Sequence, residues 1–231
     1  MWKRILFTVL CITSLQARAG TALTEIENKW LNAGWPVLVY AKGLKLPIDI
    51  IVQPQAKPGD VPFAMGFEDG RCKLVLSMRG NPTAESTLAD IPPAQLNAVV
   101  EAMTAHEVGH CWRYVQGSWH ALPAGFVEVA ESVVSKSKEL LLQWQEMRAT
   151  RREEGFADLV GLAWTLDHHP EQYEQVHAWF EKIRRNQPIA GSYHDTRVWI
   201  GLAKDKSAFE AAGTPFEQAR ALWLKGLLSD G

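Results

Sequence analysis

The segment His106-Glu107-Val108-Gly109-His110 constrains this chain more than any other, because it has the pattern H-E-x-x-H. On a helix, residues four apart lie one turn along the axis and leave the same face. Two neutral imidazoles at that spacing can bind one Zn²⁺ ion at ~2.0–2.1 Å each. Glu107 lies about 100° around the helix from His106, so its carboxylate can reach a water on the metal without being a ligand. The segment therefore predicts two metal ligands, His106 and His110, and a general base, Glu107.

The residues around this motif predict a buried helix over 92–116. Two prolines, Pro92 and Pro93, are typical of a helix start, and Gly117 is typical of an end. Apolar residues recur between them with a helical period, and the motif lies on the same stripe, which comprises Leu96, Val99, Val100, Met103, His106, Glu107, His110 and Tyr114. A core-facing stripe tolerates polar groups only where they are paired or bind a ligand. Gly109 weakens this helix, and a close neighbouring element or chance would each account for it.

The first nineteen residues, 1–19, have the pattern of a secretory signal peptide. Lys3 and Arg4 give a basic start, and an apolar run over 5–15 follows that is too short to span a bilayer. Ala17-Arg18-Ala19 is a small-residue cleavage motif, which makes Gly20 the expected first residue of the mature chain. We therefore expect an exported protein without a stable membrane anchor, periplasmic in a Gram-negative cell and secreted otherwise.

The full chain has 47% hydrophobic and 22% charged residues, and 20–231 is expected to form one soluble globular domain. The formal net charge is −2 and there is no basic block, so nucleic acid is not expected as a partner. The ten tryptophans are best explained as core residues rather than as a platform for sugars or bases.

Cysteine usage points to a disulfide. Cys11 lies in the predicted signal peptide, which leaves Cys72 and Cys111 in the mature chain. In an oxidising compartment such a pair is more often bonded than free. The alternative is that one of them is a metal ligand, but Cys111 points about 100° away from His110 on a helix. We predict a Cys72–Cys111 disulfide that ties a strand to the motif helix.

Hydrophobic periodicity predicts an α+β fold that is mostly α, with a small N-terminal antiparallel sheet packed on the active-site helix and a C-terminal helical part. Short β-rich runs at 36–40, 48–52 and 71–78 are the expected strands. The stretch 80–93 is expected to be a loop. The expected helices, besides the motif helix, cover 21–34, 124–168 with a break near Gly155 or Gly161, 170–186, 193–203 and 215–228.

A catalytic zinc ion generally has three protein ligands, so a third must come from elsewhere. Glu154 and Asp158 are four apart and share one face of a predicted helix. Glu154 could supply the third ligand, and Asp158 could accept the N–H of a ligating histidine and fix its tautomer. Without the motif, these two carboxylates would be taken as an exposed acidic turn. His120 is a further candidate if the chain folds back after His110.

The combination of HEVGH with the downstream segment Glu154-Gly-Phe-Ala-Asp158 resembles the gluzincin metallopeptidases. The resemblance covers roughly 92–197 and implies a zincin-like fold, one Zn²⁺ ion, Glu154 as the third ligand and Asp158 as its supporting carboxylate. Glu153 stands where these enzymes usually have Asn, which keeps Glu153 as an alternative ligand. Glu128 is a second alternative, because its distance from His110 is near the spacing that some gluzincins use.

The segment Ser192-Tyr193-His194-Asp195-Thr196-Arg197 is similar to a downstream stretch of some gluzincins, H-P-x-x-x-x-R. Here Asp195 follows the histidine and Arg197 comes three residues after it. The resemblance implies that His194 or Tyr193 donates a hydrogen bond to the oxyanion of the tetrahedral intermediate.

The function expected from motif and resemblance together is hydrolysis of peptide bonds by an exported zinc metalloprotease, with Glu107 as general base. The substrate would be a polypeptide, or a peptide crosslink of the cell wall. The strand at 71–78, if it forms the sheet edge beside the cleft, would bind an extended peptide by strand addition. The alternative is a zinc-containing binding or assembly module without turnover. Oligomeric state and cleavage specificity stay open.

Overall fold

The computed structural model describes residues 22–89, 91–126, 138–185, 191–210 and 213–229. This part of the chain is mostly helical with one three-stranded mixed sheet, which confirms the expected α+β, mostly α class. The predicted signal peptide, 1–19, lies outside the described residues. The elements in chain order are α1 (Glu25–Gly43), β1 (Ile48–Val52), β2 (Phe63–Glu68), β3 (Arg71–Leu76), α2 (Pro82–Ala89), α3 (Leu96–Val115), α4 (Lys138–His168), α5 (Tyr173–Arg185), α6 (Arg197–Leu202) and α7 (Pro215–Ser229).

Helix α1 is longer than the sequence predicts. It begins at a capping box, in which the Thr24 hydroxyl accepts the Glu27 N–H and the Glu27 carboxylate accepts the Thr24 N–H. The helix continues through 36–40, so the strand predicted there is wrong. Val37 and Leu38 are β-rich by composition, but they are buried at helical spacing from Trp30. Tertiary packing therefore overrides the local β propensity.

The sheet has the strand order β1-β3-β2. Strands β2 and β3 form an antiparallel hairpin closed at Asp69 and Gly70, both of which have positive φ. Strand β1 runs parallel to β3, so the prediction of an all-antiparallel sheet is wrong. The condition under which 71–78 would bind a peptide, a position at the sheet edge, is not met, because β3 is the central strand. Of the described strands, β2 is the edge nearest to α3, with which it is in contact.

Helix α3 is the centre of the fold. It packs against α1, α4 and the sheet, and it is buried on most of its circumference rather than along one stripe. The predicted disulfide is confirmed: Cys72 on β3 is bonded to Cys111 on α3, with their Cα atoms 5.7 Å apart. This bond fixes the sheet to α3 at the residue that follows His110.

Helices α3 and α4 approach closely through two glycines. A Cβ on Gly109 would lie 3.2 Å from the Val160 side chain, and a Cβ on Gly161 would lie 2.7 Å from the carbonyl oxygen of Ala102. Because these two positions lack a Cβ, α3 and α4 can approach closely. This contact explains why the motif has a glycine, a poor helix former, at position 109. Helix α4 runs through Gly155 and Gly161 without interruption, so the predicted break is wrong.

Two further boundaries differ from the predictions. The stretch 80–93, expected to be a loop, contains α2, whose start is marked by the Asn81 side chain accepting the N–H of Thr83. The helix expected from residue 193 begins at Arg197, and a tight loop precedes it. Among the described residues, no helix is both long and apolar enough to cross a bilayer.

The close contact at Gly161 generates a prediction about stability. Gly161→Ala should lower the free energy of unfolding by about 1–3 kcal/mol, because the added methyl group meets backbone that cannot move aside. Gly201→Ala is the matched control, since a Cβ there meets no atom within 4 Å. The control should be neutral or stabilising by up to about 1 kcal/mol. Urea unfolding of both variants checks this, and equal stabilities would contradict it.

Candidate metal centre

Two helices place the predicted ligands together. His106 and His110 project from α3, and Glu154 projects from α4 across the close helix contact. The two Nε2 atoms are 3.1 Å apart. His106 Nε2 lies 3.5 Å from Glu154 Oε2, and His110 Nε2 lies 3.3 Å from Glu154 Oε1. In the described part of the chain, these three residues are the group able to hold a metal ion.

The separations leave room for a metal ion between the three residues. Ligand atoms at ~2.0–2.1 Å from a tetrahedral centre are about 3.3–3.4 Å from one another. The two Nε2 atoms are 3.1 Å apart, and each faces a different oxygen of Glu154, at 3.3 and 3.5 Å. Lone-pair-bearing atoms at these distances in a buried setting require a cation or a proton between them. The donor set of two imidazoles and one carboxylate therefore fits a divalent cation.

Asp158 fixes the orientation of His106. Its Oδ1 lies 2.8 Å from His106 Nδ1, so Nδ1 carries the proton and Nε2 faces the other ligands with its lone pair. Burial by itself would raise the pKa of Asp158, but Arg184 and the bond to His106 outweigh it and lower that pKa to about 2. Asp158 is therefore a carboxylate, as its predicted role requires. Among the described residues, His110 Nδ1 has no comparable partner.

Arg184 completes this network from α5, and the sequence did not reveal it. Its guanidinium donates to both Asp158 oxygens, at 2.8 and 2.6 Å, and to Glu154 Oε2 at 3.3 Å. The Thr196 hydroxyl donates a further bond to Asp158 Oδ2. Burial would raise the pKa of Glu154, but His110, His106 and Arg184 hold it well below its ordinary value. One arginine thus compensates two buried carboxylates.

Glu107 lies beside the ligands without joining them. Its Oε1 is 4.0 Å from His106 Nε2, and its carboxylate accepts a hydrogen bond from the backbone N–H of Met65 on β2. Burial raises the pKa of Glu107 above its ordinary value. A more basic carboxylate that is held by the sheet and points at the ligand cluster has the properties of a proton acceptor.

The alternative third ligands are placed elsewhere. Glu153 is buried and binds Arg113 through both oxygens, each at 2.8 Å, and it also accepts the N–H of His120. His120 is exposed and its ring stacks on Trp119. Glu128 lies outside the described residues. Of the candidates that the structure describes, only Glu154 meets the two histidines.

His194 is the predicted oxyanion donor that reaches the cluster. Its Nε2 lies 3.7 Å from Glu154 Oε2, and burial lowers the pKa of its ring, so the ring is neutral near pH 7. The loop that carries His194 is held by Asp195, which accepts the N–H of Gly191 and binds Arg197. Tyr193 is 42% exposed and is not among the residues that line the cavity over the cluster.

A cavity of about 440 Å³ opens over the cluster. It is bounded by the β2 edge, α2, α3, α4, α5 and the loops that follow α3 and precede α6. The lining includes His106, Glu107, His110, Glu154, Arg184 and His194. A larger cavity, of about 760 Å³, lies at the start of α1 and contains none of these residues. The ligand cluster thus faces an open space of the size that small ligands and peptide side chains occupy.

Comparison of the chain with protein-family models, with curated proteins and with solved structures yields no match. The geometry of the centre is therefore the basis for the functional argument that follows.

The ligand assignment predicts a loss of metal binding. Glu154→Ala should weaken Zn²⁺ binding by more than about 100-fold, since loss of a direct ligand exceeds the effect of losing a residue that orients one. Glu107→Gln is the control and should bind Zn²⁺ like the wild type, because Glu107 is not in the ligand group. Competition with a chelating dye measures both. Weaker zinc binding by Glu107→Gln, with wild-type binding by Glu154→Ala, would refute Glu154 as the third ligand.

The contacts of Arg184 with Asp158 and Glu154 generate a prediction about stability. Arg184→Met should lower the free energy of unfolding by about 3–5 kcal/mol, because it leaves Asp158 and Glu154 buried without their cation. Arg185→Met is the neighbouring control, and its exposed pair with Glu181 should contribute less than about 1 kcal/mol. Chemical denaturation in the presence of a chelator compares them. A small effect at Arg184 would show that the carboxylates are compensated otherwise.

Proposed function

We propose that this chain is an exported zinc metallopeptidase with a zincin-like arrangement of the gluzincin type. His106, His110 and Glu154 would hold one Zn²⁺ ion, and Glu107 would be the general base. The observation that carries the proposal is the position of Glu107: a largely buried carboxylate lies 4.0 Å from His106 Nε2, beside the converging ligands, and is not one of them. A site that only binds a metal ion does not require a proton acceptor beside the ligands.

The donor set supports zinc. Two imidazoles and a carboxylate, with the remaining side open to a cavity, are the ligands of a catalytic zinc site. The same three residue types also bind iron in oxygenases. The Glu107 carboxylate beside the ligands suits hydrolysis by a metal-activated water, which favours zinc over an oxygenase iron.

The chemistry divides between the ion and the protein. A bound zinc ion would polarise the scissile carbonyl and lower the pKa of water toward ~7. The Glu107 carboxylate takes a proton from the attacking water and passes it to the leaving amine. Its raised pKa suits both steps, and the Met65 N–H keeps one oxygen oriented. Asp158 keeps the His106 proton on Nδ1 throughout.

His194 is proposed to stabilise the negative charge that develops on the carbonyl oxygen. Its neutral ring can donate a hydrogen bond, and its place at the cavity rim puts that donor next to Glu154. The bond from Thr196 to Asp158 connects the His194 loop to the ligand network. This placement favours His194 over Tyr193 for the role.

The substrate is proposed to be a polypeptide in extended conformation. The β2 edge borders the cavity at Phe63, Ala64 and Met65, and no described strand pairs with its outer side. An extended chain could add to this edge as a further strand and place its backbone over the ligands. Strand β2 thereby replaces 71–78 as the expected binding edge. A peptide crosslink of the cell wall would present the same kind of backbone.

An exported location is part of the proposal. The Cys72–Cys111 disulfide is typical of an oxidising compartment. The leader pattern over 1–19 agrees with it, and the compartment would be the periplasm in a Gram-negative cell.

The proposal predicts zinc-dependent peptide cleavage that requires Glu107. Residues 20–231, loaded with zinc, are incubated with a mixed peptide library and the products are read by mass spectrometry. Wild type should cut, and Glu107→Gln should be slower by about 10³-fold or more, because it loses the proton acceptor. Equal zinc content and equal unfolding curves are the controls. Zinc-loaded wild type that cuts nothing would favour a binding or assembly module, and cuts retained by Glu107→Gln would refute the base.

A further inference from the structure

The two histidines of the candidate centre are supported unequally. His106 donates from Nδ1 to Asp158, whereas His110 Nδ1 is buried and has no hydrogen-bond partner in the described part of the chain. A ligating histidine generally donates its second ring N–H to a carboxylate, a carbonyl or water, and this bond fixes the orientation of the ring. The described residues support the His110 ring by packing instead.

Trp119, in the loop after α3, makes that packing contact. Its ring centroid lies 5.4 Å from that of His110 at an interplanar angle of 77°, which is an edge-to-face arrangement. The indole also packs against Phe67 of β2, with centroids 4.8 Å apart, and Phe67 stacks on Tyr114, one turn beyond His110 on α3. The other ring neighbour of His110 is His106. The imidazole is therefore held between its fellow ligand and an indole that is itself fixed on the sheet.

A buried ion pair fixes the loop that carries Trp119. Arg113 on α3 and Glu153 on α4 are both buried, and the guanidinium binds both carboxylate oxygens. The same guanidinium donates to the carbonyl oxygens of Ser118 and Ala121, which lie on either side of Trp119, at 2.7 and 3.1 Å. The ion pair thus holds both ends of the segment 118–121.

Glu153 also fixes the backbone at His120, the residue after Trp119. His120 has a φ of 59°, in the left-handed region that residues other than glycine seldom adopt. Its N–H donates to Glu153 Oε1 at 2.9 Å. A backbone conformation of this kind persists only where the surrounding contacts specify it, and such positions cluster at functional sites. The loop conformation that brings the indole to His110 therefore depends on Glu153.

We propose that Trp119 positions His110 for metal binding, and that Glu153 and Arg113 act on the metal centre through the loop that carries Trp119. Packing by the indole thus replaces the hydrogen bond that orients the other histidine. Glu153, an alternative ligand by sequence, affects the centre without binding the ion. The inference rests on the metal assignment within the proposed function, and it does not depend on peptide cleavage.

The first test measures Zn²⁺ affinity by competition with a chelating dye. Trp119→Ala should weaken zinc binding by about 10- to 100-fold, the range for residues that orient a ligand. Trp119→Phe keeps a ring in the loop and should recover most of that loss. Trp179→Ala is the matched control, because Trp179 lines the same cavity from α5, and it should bind zinc like the wild type. Wild-type affinity in Trp119→Ala, or equal losses in this variant and the control, would overturn the inference.

A spectroscopic measurement separates positioning from general stability. Co²⁺ replaces Zn²⁺, and its visible absorption bands report the geometry of its ligands. Folded, cobalt-saturated Trp119→Ala should differ from the wild type in the position or intensity of these bands, whereas Trp179→Ala should not. Trp119→Leu, which keeps apolar bulk without a ring, takes the place of the alanine variant if urea unfolding shows that the latter is not folded. An unchanged cobalt spectrum would overturn the role of Trp119.

A double-mutant cycle tests whether Glu153 acts through the loop. The Glu153 charge also acts on His110 directly through space, and the cycle separates the two routes. If the loop is the route, Glu153→Gln should weaken zinc binding in the wild type and cause little further loss in Trp119→Ala. Additive losses, or no loss in the single variant, would overturn the role of Glu153.

These measurements also distinguish this inference from the proposed function. A wild type that binds zinc but cuts no peptide would contradict the peptidase, while the expected losses in Trp119→Ala and Glu153→Gln would still support the positioning roles. A zinc-binding peptidase whose Trp119→Ala variant keeps wild-type affinity would contradict only the positioning roles. A wild type without zinc affinity would overturn both.

Discussion

The buried Asp158 carboxylate is the contact on which the candidate centre depends. It lies on α4 and connects His106 of α3, Arg184 of α5 and Thr196 before α6. An uncompensated carboxylate in this position would strongly destabilise the fold, so the arginine and the hydroxyl are structural requirements. Because the carboxylate accepts from His106 Nδ1, the same contact directs the Nε2 lone pair toward Glu154 and His110. Stability of the fold and orientation of the ligands thus rest on one group.

The approach of α3 to α4 sets the size of the centre. Gly109 and Gly161 remove the side chains that would separate these helices, and the ligands from both can then converge to within 4.8 Å. The disulfide beside His110 and the Arg113–Glu153 pair one turn farther along α3 hold the same region to β3 and α4. A centre held by packed helices is more precise than one built on loops. The adjustable part is His194, which lies on a loop at the rim.

The residues that sequence reasoning found are those whose spacing lies within one helix. His106, Glu107 and His110 were predicted from their spacing along one helix. Glu154 and Asp158 were predicted from their four-residue spacing along a second helix. Arg184 could not be found in this way, because an arginine near the end of an amphipathic helix is normally solvated, and its partners lie 26 and 30 residues away. Sheet order is equally non-local, so the central position of β3 was not predictable from its alternation. The error at 36–40 arose because Val37 and Leu38 favour strands locally, whereas packing on α3 selects the helix.

The arrangement around Glu107 bears on whether the centre supports turnover or only binding. A structural zinc site is closed by a fourth protein ligand. Here the described residues supply three, and His194, the nearest further imidazole, stays outside the ligand group with its Nε2 3.7 Å from a Glu154 oxygen. The fold also buries Glu107 beside the ligands and orients it with the Met65 N–H, although a buried carboxylate without a cation is unfavourable. A binding module would be more stable with an uncharged residue at that position. The retained carboxylate and the open side of the cluster are therefore the two observations behind the proposal of peptide hydrolysis over metal storage.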